Sequence, residues 1–367
     1  MKIVIDLRMI EMSGIGRYIK NILKDNIYIN KMIGLGIEDD IKLNSDIKEI
    51  ITYESNIYGI YEQFKFPYKK VQGNNILHVP HYNIPIFYKG NLVTTIHDIT
   101  HILFPEYLPN KFALYYAKFM ISRAVKRSEY ILTVSENTKK DLIKYFNADP
   151  NKIVITYNGV DKKFRCKEKS EYEYLYSKYR IDRNKKILLY VGNKKPHKNI
   201  AKLIKAMSLL ENKENYTLVL SGKGFEGYNE LENLSDKLGL NELIIHTGIV
   251  SDEELVDLYN LADLFVFPSL YEGFGIPLLE SMACGTPVIC SNSSSLPEVV
   301  GDAALMFDPN DEVELARSIE GVLSNKQLYK ELIEKGYKRV RKFTWEDCRR
   351  KTEEVYKNML KRKLKGK

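Results

Sequence analysis

Short apolar runs alternate along this chain with longer stretches in which apolar residues recur every three or four positions. The short runs are typical of buried parallel strands, and the longer spacing is typical of amphipathic helices packed against a sheet. Strands are predicted in two successive series, first at residues 2–6, 76–79, 92–96, 130–134 and 153–156, then at 187–191, 218–220, 243–246, 264–267, 287–290 and 304–307. Helices follow to the end of the chain at 311–324, 327–342 and 345–364.

The two series are separated by a polar segment, rich in lysine, glutamate and tyrosine, that runs from 161 to about 186. A chain of 367 residues is also longer than a typical single domain. Strands that alternate with helices in two series predict two Rossmann-like, doubly wound α/β domains that face each other across a cleft. We place the domains at 1–165 and 166–345, with a last helix at 346–367.

The stretch from 263 to 292 combines features of a binding site. An apolar strand at 264–267 is followed by the loop Gly273-Phe274-Gly275, and Pro277 stands where a first helical turn accepts proline. Unpaired N–H groups at such a helix start attract anions. Glu272 and Glu280 flank this loop. An ordinary strand-to-helix turn is the alternative, but the two carboxylates favour a site.

Similar strand–loop–helix signals occur elsewhere. Gly14 and Gly16 follow the first strand, where small residues let a ligand or a backbone approach a helix start; simple close packing explains them equally well. Lys198 stands at a helix start after the strand 187–191, where its ammonium group and the helix dipole can act on one phosphate. His97 follows the strand 92–96, at the sheet edge where ligands collect, unless it only caps the next turn.

Composition and charge indicate which partners and which cellular location to expect. The net charge of +8 favours an anionic partner such as a phosphorylated substrate, an acidic membrane or nucleic acid. Charge interrupts the start of the chain too early for a signal peptide, and the cysteines show no metal-ligand spacing, so we expect a cytoplasmic protein. The segment 109–127 mixes aromatic and basic residues at helical spacing; its apolar stripe fits a core, and its basic face fits anionic lipid headgroups.

Taken together, the motifs resemble those of retaining GT-B glycosyltransferases of glycosyltransferase family four. The resemblance covers nearly the whole chain, and it rests on these stretches in order: 14–18, 97–98, 134–138, 158–161, 196–199, 271–280, 283–288 and 296–304. It implies a hexosyltransferase that moves a sugar from a nucleotide diphosphate donor. It also implies that the first domain binds the acceptor, the second binds the donor, and the last helix packs back on the first domain.

The resemblance implies a role for each candidate residue. Glu272 would contact the transferred sugar, His97 would lie beside it, and Lys198 would neutralise the departing diphosphate. The ribose would contact Glu280. The remaining donor contacts would come from Gly14, Gly16, Asn193, Gly273, Phe274, Gly275 and Ile276. Asn193 departs from the pattern because many relatives carry arginine there, so the diphosphate would depend more on Lys198.

The resemblance is less specific for the substrates. It favours mannosyltransferases of surface-polysaccharide assembly that use GDP-mannose, and a UDP-hexose donor is the alternative. The acceptor would be a glycan or a lipid-linked glycan, with peripheral contact to an anionic membrane and no nucleic acid. No cofactor and no metal are expected, since the chain lacks the Asp-x-Asp motif that holds a metal in many glycosyltransferases.

Three other classes compete with this interpretation. Non-hydrolysing sugar-nucleotide epimerases share the fold, but would lack the paired glutamates around Gly-Phe-Gly. A dinucleotide-dependent oxidoreductase would carry a third glycine three residues after Gly14-x-Gly16, but this chain has none there. A non-catalytic module that only binds sugar nucleotides is the remaining alternative.

Overall fold

The computed structural model describes residues 2–55, 57–73, 75–224 and 229–365. It divides into two compact units, Met1–Gly159 with Trp345–Lys367, and Val160–Thr344. The polar segment 161–186 therefore lies wholly in the second unit, where it includes two short helices.

Strands and helices alternate through the described residues. The strands are β1 (Ile3–Asp6), β2 (Met32–Gly36), β3 (Glu49–Thr52), β4 (Ile76–Val79), β5 (Asn91–Ile96), β6 (Tyr130–Thr133), β7 (Ile153–Ile155), β8 (Lys186–Val191), β9 (Tyr216–Ser221), β10 (Ile244–Gly248), β11 (Leu264–Phe267), β12 (Val288–Ser291) and β13 (Leu305–Phe307). The helices are α1 (Ser13–Leu23), α2 (Glu38–Asn44), α3 (Ile60–Lys65), α4 (Tyr68–Val71), α5 (Thr100–Leu103), α6 (Lys111–Arg127), α7 (Glu136–Phe146), α8 (Lys169–Tyr172), α9 (Tyr174–Lys178), α10 (Ile200–Ser208), α11 (Asn229–Lys237), α12 (Asp252–Leu261), α13 (Ile276–Ala283), α14 (Leu296–Val300), α15 (Glu312–Ser324), α16 (Lys326–Val340) and α17 (Trp345–Lys365).

The first unit is built on a parallel sheet in the order β3-β2-β1-β4-β5-β6-β7. Its central strands β1, β4 and β5 are buried along their whole length, as expected for the inner strands of a parallel sheet covered on both faces. The chain builds outward on one side of β1 and then on the other, so the order reverses between β1 and β4. Ligands of open α/β sheets bind beyond the carboxyl ends of strands at such a switch point.

The sequence pattern did not predict β2 and β3. In β2 the glycines Gly34 and Gly36 interrupt the apolar run, although the whole strand is buried. Gly34 is closely packed, because a Cβ there would lie 3.1 Å from a methyl carbon of Leu7 and 3.2 Å from one of Ile41. The other strand, β3, is an edge strand that is half-exposed, so it lacks a continuous apolar signal.

The second unit repeats the design with a parallel sheet in the order β10-β9-β8-β11-β12-β13. Its order reverses between β8 and β11, the two strands that precede the lysine loop and the Gly-Phe-Gly loop. The prediction of two doubly wound α/β folds is confirmed by these sheets.

The last helix, α17, belongs to the first unit and packs against α1. A buried polar network anchors it: the Tyr356 hydroxyl lies 2.6 Å from Nδ1 of His78, and Nε2 of His78 lies 2.8 Å from Oγ1 of Thr95. Burial lowers the pKa of His78 to about 3, so its imidazole is neutral at physiological pH. A neutral ring can donate through one nitrogen and accept through the other, which satisfies both neighbours.

Candidate active site

The second unit brings the lysine loop and the Gly-Phe-Gly loop together because β8 and β11 are neighbours in the sheet. Nζ of Lys198 lies 2.7 Å from Oε1 and 2.8 Å from Oε2 of Glu272. The two side chains are 15% and 12% exposed, so this ion pair is largely shielded from water. Two residues that are 74 positions apart thus form one charged pair at the switch point of the sheet.

Asn199 holds the lysine loop in place. It adopts a left-handed conformation with φ of 59°, which ends the short 3-10 turn Pro196–Lys198 and starts α10. Its amide group donates to the carbonyl oxygens of Pro268, at 3.1 Å, and Pro309, at 2.8 Å. Since Pro268 directly follows β11, the first of these bonds ties the lysine loop to the strand that precedes Glu272.

The Gly-Phe-Gly loop has a backbone that requires glycine at its end. Gly275 caps α13 with φ of +100°, and a Cβ there would approach side-chain carbons of Leu278 and Leu296 to 3.0 Å. The Phe274 side chain is buried and packs edge-on against Phe343, with ring centroids 5.6 Å apart. Phe274 therefore fixes the loop through its side chain, and any donor contact it makes would come from its backbone.

Two serines that the sequence analysis did not single out fasten this loop. Oγ of Ser294 accepts the backbone N–H of Glu272 at 2.9 Å. Ser295 is fully buried, and its hydroxyl lies 2.9 Å from the carbonyl oxygen of Glu272 and 3.1 Å from that of Phe274. The run Ser293-Ser294-Ser295 after β12 was the available signal, because serine hydroxyls commonly bond to nearby backbone groups.

Glu280 lies one turn into α13 and is only 2% exposed. Its Oε2 accepts a hydrogen bond from the hydroxyl of Tyr259 at 3.0 Å. Tyr259 is fixed in turn, since its carbonyl oxygen accepts from Thr286. The ribose contact of Glu280 stays a prediction; in the structure its carboxylate is held within the unit.

Asn193 and Ile276 lie at the rims of the two loops. Asn193 is exposed, with its Oδ1 accepting the backbone N–H of Lys195 at 3.2 Å and its carbonyl oxygen accepting the Tyr190 hydroxyl at 3.1 Å. Burial, with the nearby charge of Glu272, raises the pKa of Tyr190 well above its usual value. Ile276 is half-buried at the first position of α13.

In the first unit, Gly14 and Gly16 both lie in α1, but their surroundings differ. A Cβ on Gly16 would fall 2.2 Å from the carbonyl oxygen of Ile10, so glycine is needed there for close packing of the preceding loop. A Cβ on Gly14 would meet no atom within 4 Å. Close packing therefore explains Gly16, and the open surroundings of Gly14 leave room for a ligand.

His97 follows β5 at the carboxyl end of the first unit's sheet. Burial lowers its pKa to about 4, so the ring is neutral near pH 7. Nε2 lies 3.0 Å from the carbonyl oxygen of Pro80, which can only accept, so Nε2 carries the proton. Nδ1 then keeps its lone pair, and the ring packs edge-on against Tyr18 at a centroid distance of 4.9 Å. A ring in this state can accept a hydrogen bond from a hydroxyl group.

A buried charged cluster lies at the end of β1, and the sequence analysis did not find it. Arg8 binds Asp6 through two nitrogens, at 3.0 and 2.6 Å, and binds Glu62 at 2.8 Å. Nε2 of His81 lies 3.4 Å from Oδ2 of Asp6. Burial alone would raise the pKa of Asp6, but Arg8 and His81 hold it far below its usual value. The pattern Asp6-x-Arg8 directly after an apolar strand was the available signal.

Comparison with known proteins identifies the class. Residues 174–339 match the family described as "Glycosyl transferases group 1", and residues 70–164 match "Glycosyltransferase Family 4". The chain is 36% identical over 285 residues to the O-antigen chain mannosyltransferase B of Escherichia coli, covering 77% of this chain and 74% of that protein. It is 32% identical over 242 residues to the O-antigen chain mannosyltransferase RfbU of Salmonella typhimurium, covering 66% of this chain and 63% of that protein.

Solved structures share the fold of this chain. Anabaena Alr3699/HepE in complex with UDP and glucose superposes with a TM-score of 0.79 at 19% identity, covering 97% of this chain and 99% of that one. A likeness at this identity supports the GT-B fold alone. The family models and the sequence relatives establish the class of enzyme, a hexosyltransferase. The chain belongs to glycosyltransferase family four. Its second half contains the group 1 domain, at residues 174–339.

Proposed function

We propose that this protein is a retaining, metal-independent mannosyltransferase that moves mannose from GDP-mannose to a glycan or a lipid-linked glycan. In this proposal the first unit binds the acceptor and the second binds the nucleotide sugar. Peripheral contact with the inner face of the membrane and a cytoplasmic location belong to the same proposal. The observation that carries it is the ion pair between Lys198 and Glu272 at the switch point of the second sheet.

The leaving group explains the need for Lys198. When the bond between the anomeric carbon and the diphosphate breaks, negative charge builds on the phosphate oxygen and positive charge builds on the sugar. Fixed positive charge at that oxygen is the main way to lower such a barrier. Lys198 supplies an ammonium group, and the start of α13 adds the positive end of a helix dipole.

Glu272 would serve the sugar. Its carboxylate lies within hydrogen-bond distance of the lysine, so with Lys198 on the departing phosphate it would stand beside the bond that breaks. There it would hold sugar hydroxyl groups and favour the positively charged transition state. In the retaining reaction proposed, the acceptor oxygen bonds to the anomeric carbon on the face the diphosphate leaves, and a phosphate oxygen takes the acceptor's proton. Neutral His97, with Nδ1 as an acceptor, would hold a sugar hydroxyl.

Mannose is proposed because the two relatives described above are named as mannosyltransferases. A UDP-hexose donor is the second candidate, because the sequence resemblance leaves the donor open; the Anabaena structure of the same fold was solved with UDP and glucose. A panel of GDP-mannose, UDP-glucose, UDP-galactose and UDP-N-acetylglucosamine separates the two. A ligand at a hundred times its dissociation constant stabilises the folded state by about 2.7 kcal/mol, which a thermal unfolding assay detects.

Transfer itself is tested with the donor that stabilises most and a mannose-terminated oligosaccharide. We expect a product with the α configuration of the donor, measured by NMR, and a rate unchanged by EDTA. An inverted product overturns the retaining assignment, and loss of activity that manganese restores overturns metal independence. Donor binding with neither donor hydrolysis nor transfer to any acceptor would favour the non-catalytic sugar-nucleotide module.

A further inference from the structure

Three neighbouring strands of the first sheet end beside one another. Asp6 is the last residue of β1, Pro80 and His81 directly follow β4, and His97 directly follows β5. The strand order β1-β4-β5 places β4 in the middle. The segment after β4 can therefore contact the end of β1 on one side and the end of β5 on the other.

His97 depends on this segment for its hydrogen bond. Nε2 of His97 lies 3.0 Å from the carbonyl oxygen of Pro80, and this contact decides which ring nitrogen carries the proton. Pro80 has no N–H group and lies beyond Val79, the last residue of β4 that pairs in the sheet. The Pro80 carbonyl shares a rigid peptide plane with the N–H group of His81, so a fixed His81 fixes the direction of that carbonyl.

The imidazole of His81 is buried and is held from two directions. Nδ1 accepts the backbone N–H of Asn83 at 3.2 Å. Because a backbone N–H group only donates, the proton of the ring is on Nε2, which faces Oδ2 of Asp6 at 3.4 Å. This distance is long for a hydrogen bond. Asp6 is nevertheless buried and charged, so water screens its attraction for the Nε2–H group only weakly.

Arg8 fixes the carboxylate of Asp6 in turn. Two guanidinium nitrogens of Arg8 donate to Asp6, and the backbone N–H of Arg8 donates to Oδ1 of Asp6 at 3.2 Å. The remaining guanidinium nitrogen binds Glu62, and the central carbon of the group lies 4.5 Å from the centroid of the Tyr53 ring. Both ends of the Asp6–Arg8 pair are thus held, and Oδ2 of Asp6 is kept facing His81.

A buried cluster of this kind contributes little to stability. Taking charged groups out of water costs free energy that their mutual attraction only partly returns, and apolar residues of similar size often stabilise a core equally well. Desolvated charge pairs are common at functional sites. The cluster of Asp6, Arg8 and His81 lies at the switch point of the first sheet, where ligands of such sheets bind.

We propose that Asp6, Arg8 and His81 are positioning residues, which act through the Pro80 carbonyl to fix the ring orientation and the tautomer of His97. With its proton kept on Nε2, His97 presents Nδ1 to a sugar hydroxyl group as a hydrogen-bond acceptor. This purpose rests on the proposed function. The tautomer itself is a property of the protein without substrate, so it can be tested without any transfer reaction.

The tautomer is measured by NMR on protein with 15N in its six histidine rings, because protonated and unprotonated ring nitrogens differ widely in chemical shift. The signals of His97 are assigned from their loss in His97→Ala. In the wild-type protein at pH 7 we expect a single form of His97, with the proton on Nε2. His81→Leu, an apolar side chain of similar volume, removes both contacts of the imidazole and should leave His97 as a mixture of the two tautomers.

Two further variants separate the contact from the shape of the side chain. His81→Gln carries an amide N–H that can still donate to Asp6, and it should restore the single form of His97. Asp6→Asn removes the charge that faces His81 and leaves Arg8 paired with Glu62, so it should shift His97 in the same direction as His81→Leu. Failure of His81→Gln to restore the wild-type signals would overturn the role of the Asp6 contact.

The matched control for Asp6→Asn is Asp257→Asn. Asp257 is a buried carboxylate paired with Lys167 in the second unit. The control should keep the wild-type signals of His97. If both variants changed those signals equally, the effect would be a general one of buried charge, and the proposal would be overturned.

Transfer rates supply an independent test. His81→Leu should lower kcat by about three- to tenfold, the contribution of one ordinary hydrogen bond, and leave the affinity for GDP unchanged. Because His81 acts only through His97, the double variant of His81→Leu with His97→Ala should transfer sugar at the rate of His97→Ala alone. Losses that multiply in the double variant would give His81 a role of its own and overturn the proposal.

The two proposals fail in different ways. A single form of His97, protonated on Nε2, in a folded His81→Leu variant overturns the positioning role, whether or not the protein transfers sugar. A wild-type protein that transfers no sugar refutes the proposed function, and the NMR comparison still decides the positioning role. Binding of GDP shows that each variant is folded.

Discussion

Replacing Glu272 by glutamine should have opposite effects on nucleotide binding and on sugar transfer. In the structure both carboxylate oxygens of Glu272 accept hydrogen bonds from Nζ of Lys198, at 2.7 and 2.8 Å. A nucleoside diphosphate must share or displace that carboxylate to reach the lysine. The neutral amide of Glu272→Gln competes less, so we expect GDP without sugar to bind the variant more tightly than wild type.

The magnitude follows from the shielding of the pair. A hydrogen bond to a charged group contributes about 1.5 to 3 kcal/mol, and side chains that are 15% and 12% exposed keep a large part of it. If about 1.4 kcal/mol of the interaction is given up when GDP binds, the variant gains about tenfold in affinity. Transfer should fall at least a hundredfold, because the carboxylate no longer favours the positive charge on the sugar.

Isothermal titration with GDP measures the first effect, and initial rates with GDP-mannose measure the second. The matched control is Glu312→Gln, which removes the carboxylate that lies 2.7 Å from Lys202 in the same unit. The control should leave both quantities near their wild-type values. Unchanged or weaker GDP binding in a folded Glu272→Gln variant would refute the competition, and full transfer would refute the role of Glu272.

Two further predictions concern the backbone and the buried imidazoles. Gly275→Ala should destabilise the second unit by about 1 to 3 kcal/mol and weaken donor binding, because φ is +100° there. The control Gly321→Ala, where a Cβ in α15 meets open space, should stabilise the unit. Equal chemical-denaturation midpoints for the two variants would contradict this prediction. The pKa values of His78 and His97 are lowered to about 3 and about 4, so the unfolded chain binds protons first as pH falls. The free energy of unfolding should drop by about 2 kcal/mol per histidine from pH 7 to pH 5. Fluorescence of Trp345 reports the first unit, and His78→Gln should roughly halve the slope; an unchanged slope would contradict the burial argument.

Local patterns predicted much of the fold. The strands at 76–79 and 264–267 match β4 and β11, and most other boundaries agree within two residues. Both strands are fully buried, so apolar residues dominate their short runs in the sequence. The glycine-broken β2 and the half-exposed edge strand β3 were missed because neither carries that signal.

The sequence pattern predicted which residues belong to the candidate site, but it did not predict which side chains they contact. Lys198 and Glu272 each stand after a strand, but nothing local shows that their loops meet. Ser295 is fully buried beneath the Gly-Phe-Gly loop, yet in the sequence it is one serine among several. The cluster of Asp6, Arg8 and Glu62 joins residues more than 50 positions apart.

By itself the sequence determined the two α/β units, the loops that carry the candidate site and the resemblance to family four, because strand burial, glycine turns and helix starts depend on neighbouring residues. Only the tertiary structure decided which groups meet. The order of strands in the second sheet brings Lys198 against Glu272, and the packing of α3 at the end of β1 brings Glu62 against Arg8. Charge pairing depends on distances in space, which spacing along the chain does not encode.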